Sequence, residues 1–227
     1  MDTAMLRKVL LACGIVSALL YVAMDIAGAL HWESYSFASR TISELSAVGS
    51  PSRPLVVALG IGHTLLAIAF GFGVWRSADR NRALRIAAAL LVAYGALGLL
   101  APLVPMHPRE AEETLTDTMH IVLTMVTVLL ILSAIGFAAV ARGRWFRLYS
   151  IATLLTVLVF GAWTGLEGPK IAADQPTPWI GLTERICIGA WLLWVAVLAV
   201  VLLHAPARAG SPGLSGATGS QPVVVPG

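Results

Sequence analysis

Charge is scarce in this chain, and six long stretches of it carry none at all. Asp, Glu, Lys and Arg make up 12% of the 227 residues, while 58% are hydrophobic, and mean hydropathy is +0.84. Soluble domains carry about a quarter charged residues, so this scarcity excludes a water-soluble globular fold. Cysteine is almost absent too. Cys13 and Cys187 fall near opposite ends of their apolar stretches, so neither a disulfide nor a cysteine metal site is expected. The sequence also lacks a phosphate-binding loop, a nucleophile elbow and a paired-histidine zinc helix motif. That removes the commonest signatures of nucleotide, ester and peptide hydrolysis.

The charge-free stretches are 9–24, 54–75, 86–106, 121–141, 148–166 and 186–203. With neutral flanks each reaches the roughly 20 residues that a helix needs to cross about 30 Å of hydrocarbon. The predicted fold is therefore all-α: a polytopic membrane protein of six transmembrane helices, one domain over 1–204, multi-pass in the cell membrane. Residues 205–227 are rich in Ala, Gly, Ser and Pro and read as a disordered cytoplasmic tail. Gly161-x-x-x-Gly165 and Ala67-x-x-x-Gly71 provide small-residue faces for close helix approach.

A formal charge of +3 and a pI near 9.2 do not point to nucleic acid here, because the basic residues flank the spans. Arg7 and Lys8 precede the first, Arg76, Arg80, Arg82 and Arg85 follow the second, and Arg142, Arg144 and Arg147 follow the fourth. The positive-inside rule makes those segments cytoplasmic, with both termini inside. Acids segregate to the other side: Glu33, Glu44, Glu110, Glu112, Glu113, Asp117, Glu167 and Asp174, with Asp25 and Glu184 just within adjoining spans. Arg7-Lys8, the run 9–24 and Ala27-Gly28-Ala29 also follow a signal-peptide layout. The length of the run and Asp25 in its last turn favour a retained helix.

The first outer loop, Tyr35 to Pro51, is too polar to span. Thr41-x-x-Glu44 forms a capping box, and Gly49 with Pro51 supplies a stop, so a short helix at the outer interface is predicted. Glu44 is then a structural cap or a carboxylate delivered over the mouth of the bundle. Gln is also accepted at that capping position, so the cap alone predicts that Glu44→Gln keeps the loop helix and nearly all stability.

Thr41-Ile42-Ser43-Glu44-Leu45 with Gly49-x-Pro51, a fourth span bearing histidine, and Gly181-Leu182-x-Glu184-Arg185-Ile186 opening the sixth together resemble the prokaryotic six-helix membrane proteins catalogued as domain of unknown function 998. The resemblance covers roughly residues 8 to 203. It implies the same fold and topology and carries no activity with it. In the family pattern the fourth span often opens with two histidines four residues apart. Here Thr116 stands where the first would be and His120 remains, which weakens a metal site carried over from the family.

An ionisable group in hydrocarbon costs on the order of 2.5–3.5 kcal/mol even on lenient scales, so each one needs a partner or a task. His63 lies about nine residues into the second span, roughly 13 Å deep. Asp117 and His120 are three apart on one face, and Thr114-x-x-Asp117 is a second capping box. Thr177-Pro178 is expected to start the sixth helix, which sets Glu184 and Arg185 about two turns inside. Arg185 needs an acid, with Asp25, Glu44 and Glu167 available.

Two site sets follow. Glu44, His63, Asp25 and Arg185 are candidate catalytic residues for acid/base or hydrolytic chemistry on a lipid or isoprenoid-like amphiphile. His63, His120 and Asp117 are candidate ligands for a divalent metal such as zinc. A non-catalytic membrane subunit and a transporter or sensor of a small amphiphile stand beside the enzyme reading. Transport would want broken helices near the midplane and inverted repeats, whereas Pro102 and Pro105 interrupt the third span only at its outer end.

Overall fold

Each charge-free stretch forms the middle of one long helix, because an amide in hydrocarbon finds its partner within its own helix. The protein is described from a computed structural model, covering residues 2–109, 111–112, 114–173 and 175–205. Its helices are α1 (Thr3–Leu30), α2 (Arg53–Arg76), α3 (Arg82–Gly98), α4 (Leu115–Ala141), α5 (Arg144–Ala172) and α6 (Ile180–His204), with no strand among the described residues. Six helical segments are long and apolar enough to cross a membrane, so this is a multi-pass membrane protein whose surroundings are a lipid bilayer. The tail expected beyond Ala205 lies outside the described residues.

The two short connections, α2–α3 and α4–α5, carry the arginine clusters at one end of the bundle. The three longer ones, 31–52, 99–114 and 173–179, gather at the other, here termed the loop end. Each helix packs on the next and α6 closes back on α1, which makes a ring. Glycines let α2 approach α3 closely. A Cβ at Gly95 would meet Ile68 Cγ1 at 2.6 Å and the Thr64 carbonyl at 2.9 Å, and one at Gly71 would meet Val92 Cγ2 at 2.6 Å, so glycine is required at both crossings. The Gly161-x-x-x-Gly165 face is used less. A Cβ at Gly161 would reach Cys187 Sγ at 3.4 Å, while one at Gly165 meets nothing within 4 Å. Both cysteines are free.

The ring is unevenly filled. Phe70, Leu91, Ile135, Trp194 and Leu198 build a buried core in the half toward the arginine clusters, where Trp194 Nε1 donates to Ser150 Oγ at 3.0 Å. A smaller cluster of Met24, Ala29, Ile42, Leu45 and Val56 lies under the first loop. Between them the packing thins: α4 has no buried side chain before Ile131, and α5 has none beyond Val157 among its described residues.

Two boundaries differ from the sequence reading. The third helix stops at Gly98 and continues as a 3-10 turn over Ala101–Leu103, because Pro102 and Pro105 cannot continue the amide ladder. The sixth starts at Ile180, with Trp179 rather than Thr177 at the cap. The Thr177 hydroxyl is committed elsewhere, donating to the Ser39 carbonyl at 3.2 Å. The Ala38 carbonyl accepts from the Gly181 and Leu182 amides instead, at 2.9 and 3.3 Å. Glu184 and Arg185 are thus about one turn inside α6, not two.

Candidate functional site

The loop end is roofed by the first loop, and three carboxylates hold it there, Asp25 and Glu44 buried and Glu184 half-buried. Glu44 lies in a one-turn 3-10 helix, Ser43–Ser46. Its Oε2 accepts from the Thr41 amide at 2.7 Å while its own amide donates to Thr41 Oγ1 at 3.3 Å, the reciprocal geometry of a capping box. The carboxylate does more than cap. Arg109, from the α3–α4 connection, donates Nε to Oε1 at 2.7 Å and Nη2 to Oε2 at 2.8 Å, and Arg40 Nη1 approaches Oε1 at 3.4 Å. Arg109 also donates to Thr177 Oγ1 and to the Ser39 carbonyl, each at 2.8 Å. One guanidinium therefore ties all three loops together.

The second tie is a forked ion pair. Arg185 donates Nε to Asp25 Oδ2 at 2.9 Å and Nη2 to Oδ1 at 2.7 Å, which joins α6 to α1 with the bidentate geometry that suits guanidinium and carboxylate. Its remaining N–H groups turn to the loop, donating to the Tyr35 hydroxyl at 2.7 Å and to the Phe37 carbonyl at 2.8 Å. Tyr35 passes the link on by donating to the Thr41 carbonyl at 2.8 Å. Burial pushes the Tyr35 phenol up, opposed by the Arg185 hydrogen bond. Close approach of the loop requires Gly181, where a Cβ would overlap the Arg40 and Phe37 carbonyl oxygens. Third, Glu184 Oε2 accepts from the Ile42 amide at 2.5 Å.

Beneath this roof is a cavity of about 280 Å³ to which every helix contributes. Its lining is apolar over most of its length, from Met24 and Val56 to Ile131, Val157 and Ile188. Polar groups stand at two levels. Ser43, Ser46, Arg53 and Glu184 line the end under the loop, His63 and Tyr94 line the wall along α2 and α3, and His120 lines it five residues into α4. His63 is ten residues along α2 from Arg53, about 15 Å deeper.

His63 is hydrogen-bonded on both sides. Nδ1 lies 3.0 Å from the Ser17 carbonyl and 2.9 Å from Ser17 Oγ, and Ser17 Oγ donates to the His63 carbonyl at 3.1 Å. Assigning the proton to Nδ1 satisfies all three contacts, which leaves Nε2 to accept from the Tyr94 hydroxyl at 3.0 Å. Next to Tyr94, Trp191 Nε1 is buried with no acceptor in hydrogen-bond geometry among the described residues.

The structure thus brings His63 and His120 to one cavity with Glu184, while Glu44, Asp25 and Arg185 lie in the roof. It does not gather His63, His120 and Asp117 as a ligand set. Asp117 serves a capping box with Thr114 and accepts from His107 N at 2.7 Å, with His107 Nδ1 at 2.9 Å. His120 Nδ1 lies 3.0 Å from the Val104 carbonyl. No group of three His, Cys, Asp or Glu side chains close enough to hold a metal ion occurs among the described residues. Sequence reasoning missed Arg109, Tyr35, Tyr94 and Arg53. For Arg109 the available signal was a lone cation amid the acids of the α3–α4 connection, and for Tyr94 a hydroxyl within a span.

No curated protein and no solved structure matches the chain. A family model does: that of the protein of unknown function DUF998 matches residues 15–201, from within α1 almost to the end of α6, and the chain belongs to that family.

Proposed function

We propose that the protein binds a lipid or isoprenoid-like amphiphile in the cavity beneath the roof, and that it acts as a carrier or sensor of that molecule rather than as a hydrolase. The observation that carries the reading is the layout of the cavity: one polar end under the loop, an apolar body, and a volume of about 280 Å³. That volume lies near the lower limit of the roughly 300–1,000 Å³ typical of small-ligand pockets. Thin packing along α4 before Ile131 and along α5 beyond Val157 supports entry from the lipid side. The arginine clusters support a cytoplasmic arginine end with both termini inside, a loop end facing out of the cell membrane, and Ser43–Ser46 at the outer interface.

One substitution tests the reading. Gly60 lines the cavity, and a Cβ there meets only Met24 Sδ, at 3.6 Å. Gly60→Leu therefore fills space without a clash at Cβ. Binding of dodecanol to the protein in phosphatidylcholine nanodiscs, followed by native mass spectrometry, is expected to weaken at least tenfold with little change in melting. Equal binding by wild type and variant would overturn the reading.

The His63–Tyr94 contact favours a second reading, acid/base chemistry on the bound amphiphile. A hydroxyl donating to an imidazole at the wall of a water-poor cavity is a proton donor and acceptor in one place. Under that reading Tyr94→Phe keeps binding and abolishes chemical conversion of the bound molecule.

A further inference from the structure

Arg53 is the first residue of α2, where its own helix favours a cation least. The helix macrodipole is positive at that end, and the first turn of α2 contains no acid to offset it. The other described Lys and Arg side chains of the loop end each have an acid: Arg40 and Arg109 lie on Glu44, Lys170 on Glu167, and Arg185 on Asp25. Arg53 has no ion pair among the described residues. One of its N–H groups donates to the Ser46 carbonyl, which orients the guanidinium and leaves the rest of the fork without an acceptor among the described residues. The side chain is half-buried, and it lines the cavity at its polar end beside Ser43 and Ser46.

We infer that Arg53 holds the anionic headgroup, a phosphate ester or a carboxylate, of a single-tailed amphiphile whose tail fills the cavity. This rests on the binding reading above. A planar fork with free donors suits both anions, and the positive helix end adds to the attraction instead of opposing it once an anion is in place. Glu184 is the one carboxylate among the described cavity-lining residues, and its Oε2 is occupied by the Ile42 amide. It faces Arg53's end from α6, where it accepts from a hydroxyl or ammonium on the same headgroup. A volume of about 280 Å³ accommodates one tail, not the two of a phospholipid.

The experiment uses the full chain in phosphatidylcholine nanodiscs and four probes: dodecyl phosphate, dodecanoate, dodecanol and inorganic phosphate. Bound probe is counted by native mass spectrometry over a titration. Wild type is expected to take one dodecyl phosphate or dodecanoate at least tenfold more tightly than dodecanol. Arg53→Gln is expected to erase that preference, so that acid and alcohol bind alike, and Arg53→Lys to keep part of it, with melting temperatures reporting that both variants fold. Equal affinity for acid and alcohol, or a preference that survives Arg53→Gln, overturns the headgroup assignment and leaves the amphiphile reading standing. Absence of binding by every tailed probe overturns both. Inorganic phosphate binding as tightly as dodecyl phosphate makes the site one for the free anion, which overturns the part of the inference that concerns the tail.

Discussion

Neutralising Asp25 strips a half-charged clamp from the loop end. In Asp25→Asn the shape of the side chain is kept, but the Arg185 guanidinium, 15% exposed against 13% for its partner, loses its anion. Breaking a buried pair from one side costs about 3–5 kcal/mol, because the remaining charge stays desolvated. The expected loss for Asp25→Asn is about 3 kcal/mol, since hydrogen bonds from Arg185 to Tyr35 and Phe37 survive. Arg185→Met costs a similar amount by leaving Asp25 without a partner. The double variant removes both charges, so its loss should fall short of the sum by a coupling energy of about 1–3 kcal/mol. The assay is denaturant unfolding of the purified protein for wild type, both singles and the double. Strict additivity within about 0.5 kcal/mol would refute the clamp, whatever the single variants do.

Two further outcomes are expected. Glu44→Gln keeps the cap yet leaves Arg109 without its carboxylate, so a loss of about 2–4 kcal/mol should appear in the same unfolding assay, and a wild-type midpoint would mean that the Arg109 pair contributes nothing. Single cysteines at Ser50 and Ala173 should react with an impermeant thiol reagent in intact cells and one at Gly143, exposed in the α4–α5 connection, should not; labelling at 143 would reverse the proposed orientation.

What the sequence made legible follows from the physics of each signal. Apolar runs longer than a bilayer is thick have one solution, so all six helices could be read directly. The Thr41–Glu44 box and the Thr114–Asp117 box are local patterns within one turn, and both occur. Partner choice is different. That an acid or base in hydrocarbon needs compensation is a statement about one residue, but Glu44 and Arg109 meet across 65 positions and Asp25 and Arg185 across 160, and no local period encodes such a meeting. Reading Glu44 as a cap gave the correct local bonds and missed the ion pair with Arg109. The start of α6 was misplaced for the same reason: Thr177 has the composition of a cap, but a loop 138 positions away takes its hydroxyl.

The same pairing bears on which carboxylates are free for chemistry. A general base needs an unoccupied lone pair facing its substrate, yet both oxygens of Glu44 accept from Arg109 and both oxygens of Asp25 accept from Arg185. Using either for proton transfer would require breaking a charge-assisted pair in a poorly solvated place. That cost, several kcal/mol, is of the same order as the stability of a whole domain. Lifting the roof to admit a ligand from above would break the Glu184–Ile42 contact and the bonds from Arg185 to the loop together, a still larger cost. The α4–α5 side, with no buried side chain on α4 before Ile131 or on α5 beyond Val157 among the described residues, has far less to break. A ligand that dissolves in the bilayer reaches that side and one confined to water does not, which is why the geometry favours an amphiphile over a soluble metabolite.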